Sequence, residues 1–120
     1  MACVMRWAID TRNLEQVVAT RRAIVEEIRP ILRSNEDLFA AELIVGEVLS
    51  AEAAQQRTAI ALELDVQPDS AILHVYDQGA AFAVPSEESV ALINALATQM
   101  TVETSEQGNY IAVKLQARKR

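Results

Sequence analysis

The chain has 120 residues, 51% of them hydrophobic and only 4% aromatic, with 11 basic and 17 acidic side chains for a net charge of −6. That apolar share excludes a disordered chain, and the length fits one domain with its own core. Glycine is scarce. Gly46, Gly79 and Gly108 are the whole complement, against a usual share of roughly 7%, and their wide spacing excludes any Gly-x-x-x-x-Gly-Lys or Gly-x-Gly-x-x-Gly phosphate loop.

Charge is distributed unevenly. Residues 1–33 carry +2, residues 34–117 carry −11, and Arg118, Lys119 and Arg120 form a basic tail. A nucleic-acid binder needs a basic stripe that displaces counterions, so no nucleic-acid partner is expected. No apolar run reaches the roughly 20 residues that span a bilayer, and Met1–Arg6 lacks the layout of a signal peptide. No membrane partner and a cytoplasmic location are therefore expected. The lone Cys3 forms no disulfide within the chain and, without companion ligands, no metal site is expected.

Residues 3–9 alternate, with Cys3, Met5, Trp7 and Ile9 on one side, as in a half-buried strand. Asp10 and Thr11 are the N-cap candidates for a first helix that carries Leu14, Val17, Val18, Ile24, Val25 and Ile28 inward, with a stop or kink at Pro30. This helix is rich in arginine (Arg12, Arg21, Arg22, Arg29, Arg33), which either steers an oriented contact or pairs with Glu15, Glu26 and Glu27. Ser34-Asn35-Glu36-Asp37 has the form of a capping box for a second helix reaching about Gln56, with Leu38, Leu43, Val45, Val48 and Leu49 inward. Period two then takes over in Ile60–Val66 and, after Pro68-Asp69, in Ala71–Asp77. Residues 78–86 are expected to form a loop and Glu87–Gln99 a third helix. Met100–Thr104 and Ile111–Leu115 close the chain as a hairpin around Gln107-Gly108. The fold class is α+β: a two-layer α/β sandwich in which three helices cover a mixed sheet of about five strands. A single domain over 1–117 is followed by the tail 118–120.

The motifs Arg6-Trp7, Asp10-Thr11, Glu36-Asp37-Leu38, Leu43–Leu49, Leu73–Gly79, Phe82 and Leu92–Ala97, with the closing hairpin, resemble the bacterial anti-sigma-factor serine kinases. These belong to the histidine-kinase-type (GHKL, or Bergerat) ATPase superfamily, shared with gyrase and MutL. The resemblance implies a Bergerat-type fold and a nucleotide site in which a helical Glu acts as general base and an Asn one turn later holds magnesium. Here the Glu is Glu47 and the Asn position is Ala51, whose methyl group cannot bind a hard cation that requires oxygen ligands. In the next motif Asp77 stands where the family's carboxylate accepts the adenine amino group and Gly79 keeps the turn, but Ala81 replaces the second glycine. Glu87 and Ser89 occupy the place of the glycines that receive the triphosphate, and carboxylates there repel an anionic ligand. The lid segment is short and Asn109 stands where the family often has Thr.

The resemblance thus implies a pseudo-kinase with a vestigial general base in Glu47, nucleotide-binding remnants in Asp77 and Gly79, and no cofactor. It acts by partner switching on a sigma factor or a STAS-type anti-sigma antagonist, with a homodimer as a further possibility. The alternatives are an active ATP-dependent serine kinase that uses Mg-ATP, and a domain holding another small ligand in the former pocket. His74, the only histidine, has no Ser, Cys or carboxylate spaced to pair with it and reads as a packed or edge residue.

Overall fold

A computed structural model describes residues 3–32, 34–54, 60–77, 99–105 and 108–116. Five strands, β1 (Cys3–Ile9), β2 (Ile60–Val66), β3 (Ser70–Asp77), β4 (Gln99–Ser105) and β5 (Gly108–Gln116), form one sheet in the order β1-β2-β3-β5-β4. Two helices, α1 (Leu14–Ile28) and α2 (Asn35–Ala54), pack on one of its faces. The architecture is α+β. Residues 78–98, which include the expected loop and most of the expected third helix, lie outside the described residues. Gln99, expected as that helix's last residue, instead begins β4.

The sheet is antiparallel at every pairing, not mixed. The reason is topological. β1 and β2, joined through the two helices, run in opposite directions, and β2–β3 and β4–β5 follow each other as antiparallel hairpins. β3 and β4 do run in the same direction, but β5 lies between them.

The cap of α1 is Asn13, not Asp10 or Thr11. The Asn13 side-chain oxygen accepts a hydrogen bond from the Gln16 amide at 3.1 Å. Asp10 is already engaged, accepting from the Arg12 amide at 2.9 Å and from its guanidinium at 3.0 Å, while Thr11 is buried. Two residues of turn therefore precede the helix. At the other end Pro30 sits in a single 3-10 turn, Arg29–Ile31, where its missing amide proton costs no helical bond. Ser34 caps α2 as expected, its hydroxyl accepting from the Asp37 amide at 3.1 Å.

The core lies between sheet and helices. Ile24 and Ile28 of α1, Ile44, Val45, Val48 and Leu49 of α2, and Leu62, Leu64, Leu73, Val75, Ile111 and Val113 of the strands are all buried. Each such side chain contributes about 1.5–3 kcal/mol when removed from water. Two expected core residues point elsewhere. Leu14 is 73% and Val18 47% exposed. They share a helical stripe with Val25, which is buried, but lie toward the N-terminal end of α1. Leu43 is half-buried, and Ile44 beside it takes the fully covered position.

Candidate functional site

The residues singled out by sequence fall on two elements. Glu47 lies in the middle of α2, half-buried, and Ala51 follows one turn later in the same unbroken helix. Four residues advance a helix by about 400°, so both positions belong to one face. Asp77 is the last residue of β3. Its register neighbours are Ile60 at the start of β2 and Asn109 near the start of β5. It keeps the phase of Ala71, Leu73 and Val75, so its carboxylate turns to the helix side of the sheet and is only 3% exposed. A carboxylate buried at a strand end offers acceptor oxygens in a low-dielectric setting, suited to an amino group that carries donors. Gly79, Ala81, Glu87 and Ser89 lie outside the described residues. The candidate site is thus positioned at Glu47, Ala51 and Asp77 only. Among the described residues no three His, Cys, Asp or Glu side chains gather as a metal site, and no helix is long and apolar enough to cross a membrane.

The arginines in and beside α1 divide into two kinds. Arg29 pairs with Glu26 at 2.9 Å, one turn away, and Arg12 pairs with Asp10 at 3.0 Å. Arg21 and Arg22 have no ion pair among the described residues. Arg21 lies across α2 at Gly46, where an added Cβ would stand 3.2 Å from the guanidinium carbon. Val18, Arg21, Arg22, Val25 and Glu26 of α1, Arg29 of the 3-10 turn and Glu42 of α2 line a groove of about 530 Å³. A partly apolar surface carrying Arg21, Arg22 and the Glu26–Arg29 pair, with Glu42 beside it, therefore runs along α1, and exposed Leu14 lies toward its N-terminal end.

The other face of the sheet carries a feature that the sequence reading missed. His74 Nδ1 lies 2.6 Å from the Tyr110 hydroxyl. The ring of Tyr110 lies 4.9 Å from that of Tyr76 and 5.8 Å from that of His74, centroid to centroid. Tyr110 lies just ahead of the expected strand Ile111–Leu115, and on β5 it shares a face with Ala112. The missing information was that β3 and β5 are neighbours, with His74 opposite Ala112.

Comparison with protein-family models and with curated proteins gives no match for this chain.

Proposed function

We propose that this chain is a regulatory protein-binding module on a Bergerat-type ATPase scaffold, a pseudo-kinase that has lost Mg-ATP chemistry. It acts in the cytoplasm by partner switching on a sigma factor or a STAS-type antagonist. The observation that carries the reading is the pair Glu47 and Ala51 on one unbroken helix. A general-base carboxylate is kept, while the position one turn on has no oxygen to offer magnesium. The substitutions at Ala81, Glu87 and Ser89 act in the same direction, removing bare backbone amides and adding negative charge where a triphosphate would rest.

The outer surface of α1 supplies a binding face. Leu14 and Val18 are exposed apolar groups beside Arg21 and Arg22, which have no carboxylate partner among the described residues. Apolar anchors with flanking arginines are the usual make-up of a protein-binding patch, and the charge selects an acidic partner surface.

A melt with and without Mg-ATP tests the nucleotide claim. A ligand at 100 times its dissociation constant stabilises by about 2.7 kcal/mol, so an active kinase would melt several degrees higher with millimolar Mg-ATP. The proposal expects no shift. A clear rise would return the chain to the active serine kinases, with Glu47 as base and Asp77 on adenine.

A further inference from the structure

Three aromatic side chains meet where β3 lies beside β5, on the sheet face opposite α1 and α2. His74 and Tyr76 are two residues apart on β3, and Tyr110 stands directly across from Tyr76 on β5. Tyr110 approaches both other rings more closely than they approach each other. Its ring centroid is 4.9 Å from that of Tyr76 and 5.8 Å from that of His74, against 6.4 Å between His74 and Tyr76.

The two tyrosines share this setting and differ in one respect. The Tyr110 hydroxyl is held 2.6 Å from His74 Nδ1, a short hydrogen bond. No hydrogen bond holds the Tyr76 hydroxyl among the described residues. Exposure runs the other way, since Tyr76 is 43% exposed and Tyr110 is half-buried. With its own proton on Nε2, the imidazole has an acceptor at Nδ1 and takes the phenol proton as a base. Glu63 is the register partner of His74 on β2, so a carboxylate stands beside the ring where a positive charge would form.

A phenol gives up an electron easily only when its proton leaves with it, because the bare radical cation is very unfavourable. Burial raises the Tyr110 pKa, so at neutral pH the oxygen is protonated and the proton needs a receiver. His74 is that receiver, already in place. The step balances as follows: one electron passes to the oxidant, the Tyr110 O–H bond breaks, and an Nδ1–H bond forms. The products are a neutral phenoxyl radical, an imidazolium and the reduced oxidant. Carbonate radical, formed together with nitrogen dioxide from peroxynitrite and carbon dioxide, is an oxidant of this class. It ends as carbonate, which takes the imidazolium proton and becomes bicarbonate. Nitrogen dioxide then bonds to the ring carbon beside the C–O group, and that carbon's hydrogen moves to the oxygen, giving nitrotyrosine.

We propose that Tyr110 is a modification site, the tyrosine that one-electron oxidants of the carbonate-radical and nitrogen-dioxide class attack first, with His74 Nδ1 as the proton acceptor. Glu47, Ala51 and Asp77 take no part, so the Mg-ATP melt and the experiment below fail independently.

The full chain is treated with substoichiometric peroxynitrite in bicarbonate buffer at neutral pH, and nitrotyrosine is located by fragmentation mass spectrometry. Wild type should carry severalfold more at Tyr110 than at Tyr76, against the order of exposure. Tyr76→Phe should keep most of the total nitration and Tyr110→Phe should lose most of it. His74→Phe removes the base and should bring Tyr110 down to the level of Tyr76 or below. His74→Gln separates proton transfer from hydrogen bonding, because its amide oxygen accepts a hydrogen bond but is not a base. Nitration of Tyr110 should fall there as it does in His74→Phe. Equal labelling of the two tyrosines in wild type, or a preference for Tyr76, overturns the proposal on the native chain whatever the stability of the variants. So does undiminished nitration of Tyr110 in either His74 variant.

Discussion

The Tyr110 hydroxyl bridges to His74 Nδ1 at 2.6 Å across the β3–β5 pair, on the sheet face opposite the helices α1 and α2. The same hydroxyl has its pKa raised above the usual value by partial burial, then by the negative charge that Tyr76, Glu103 and Glu63 bring near it. The folded chain thus holds this proton more tightly than the unfolded chain. Its contribution to stability is complete below the ordinary tyrosine value of about 10 and is lost as pH rises through the higher folded value. Tyr110→Phe removes both effects. It should lower stability at neutral pH by about 0.5–1.5 kcal/mol for the lost hydrogen bond. The stability gap between the variant and wild type should narrow above about pH 10. Melting curves of both proteins between pH 7 and pH 11 check this, and a gap that widens at high pH would contradict it.

Asn13 rather than Asp10 caps α1, and the two residues give different outcomes. Asn13→Ala removes the acceptor of the Gln16 amide and should cost about 1 kcal/mol. Asp10 has its pKa lowered by side-chain and backbone hydrogen bonds from Arg12. Its stabilising effect is present above the ordinary carboxylate value and fades as the pH falls through the lowered one. Denaturant titration at pH 7 and pH 3 separates them: the Asn13→Ala loss is the same at both, whereas any loss from Asp10→Asn shrinks in acid.

These corrections show where sequence was informative. The bounds of β1 and β2 follow from alternation, since along each strand one face is the more covered, half-buried Met5 and Trp7 alternating with exposed Val4, Arg6 and Ala8 on β1. The cap of α2 follows from Ser34 three residues before Asp37. The cap of α1 does not, because Asp10, Thr11 and Asn13 all have the chemistry and only the turn geometry selects among them. Leu14 and Val18 have helical spacing like Val25, but spacing cannot say how far α2 extends over α1. Of the candidate site, the common helix of Glu47 and Ala51 and the buried strand-end position of Asp77 were legible. The pairing of His74 with Tyr110 was not, because it depends on which strand inserts beside β3.

Gly46 lies inside α2, where the closest atoms to an added Cβ belong to the guanidinium end of Arg21. A flexible end group moves aside by a few tenths of an ångström at little cost. Glycine in a helix interior is less favourable than alanine by roughly 0.5–1 kcal/mol. Gly46→Ala should therefore stabilise the fold by up to that amount, read as a rise in the denaturant midpoint with an unchanged slope. A loss of stability would mean that Arg21 is held in place more firmly than an exposed side chain should be.

The buried middle of α2 should respond in the opposite direction. Ile44 is fully buried against the sheet, and Ile44→Ala should cost about 2–5 kcal/mol, the transfer loss plus an unfilled cavity. Leu14→Ser should stay within about 0.5 kcal/mol of wild type, since Leu14 is 73% exposed. Equal losses from the two would contradict the burial that separates them.

The outer face of α1 makes the last prediction separable from stability. Arg21 and Arg22 have no carboxylate partner among the described residues, whereas Arg29 is paired with Glu26. Charge reversal at Arg21 and Arg22 therefore breaks no ion pair among the described residues, and the double variant should melt within a degree or two of wild type. If this surface receives an acidic partner, the same variant should lose most of the binding. Association should slow more than dissociation quickens, because exposed charges act mainly on encounter. Arg29→Glu is the contrasting case. It sets a second carboxylate beside Glu26 and should weaken both the helix and, more modestly, the complex. Binding of a purified sigma factor and of a STAS domain, measured at two salt concentrations, separates the outcomes. Affinity that ignores salt and survives the double reversal would place the partner on another surface of the molecule.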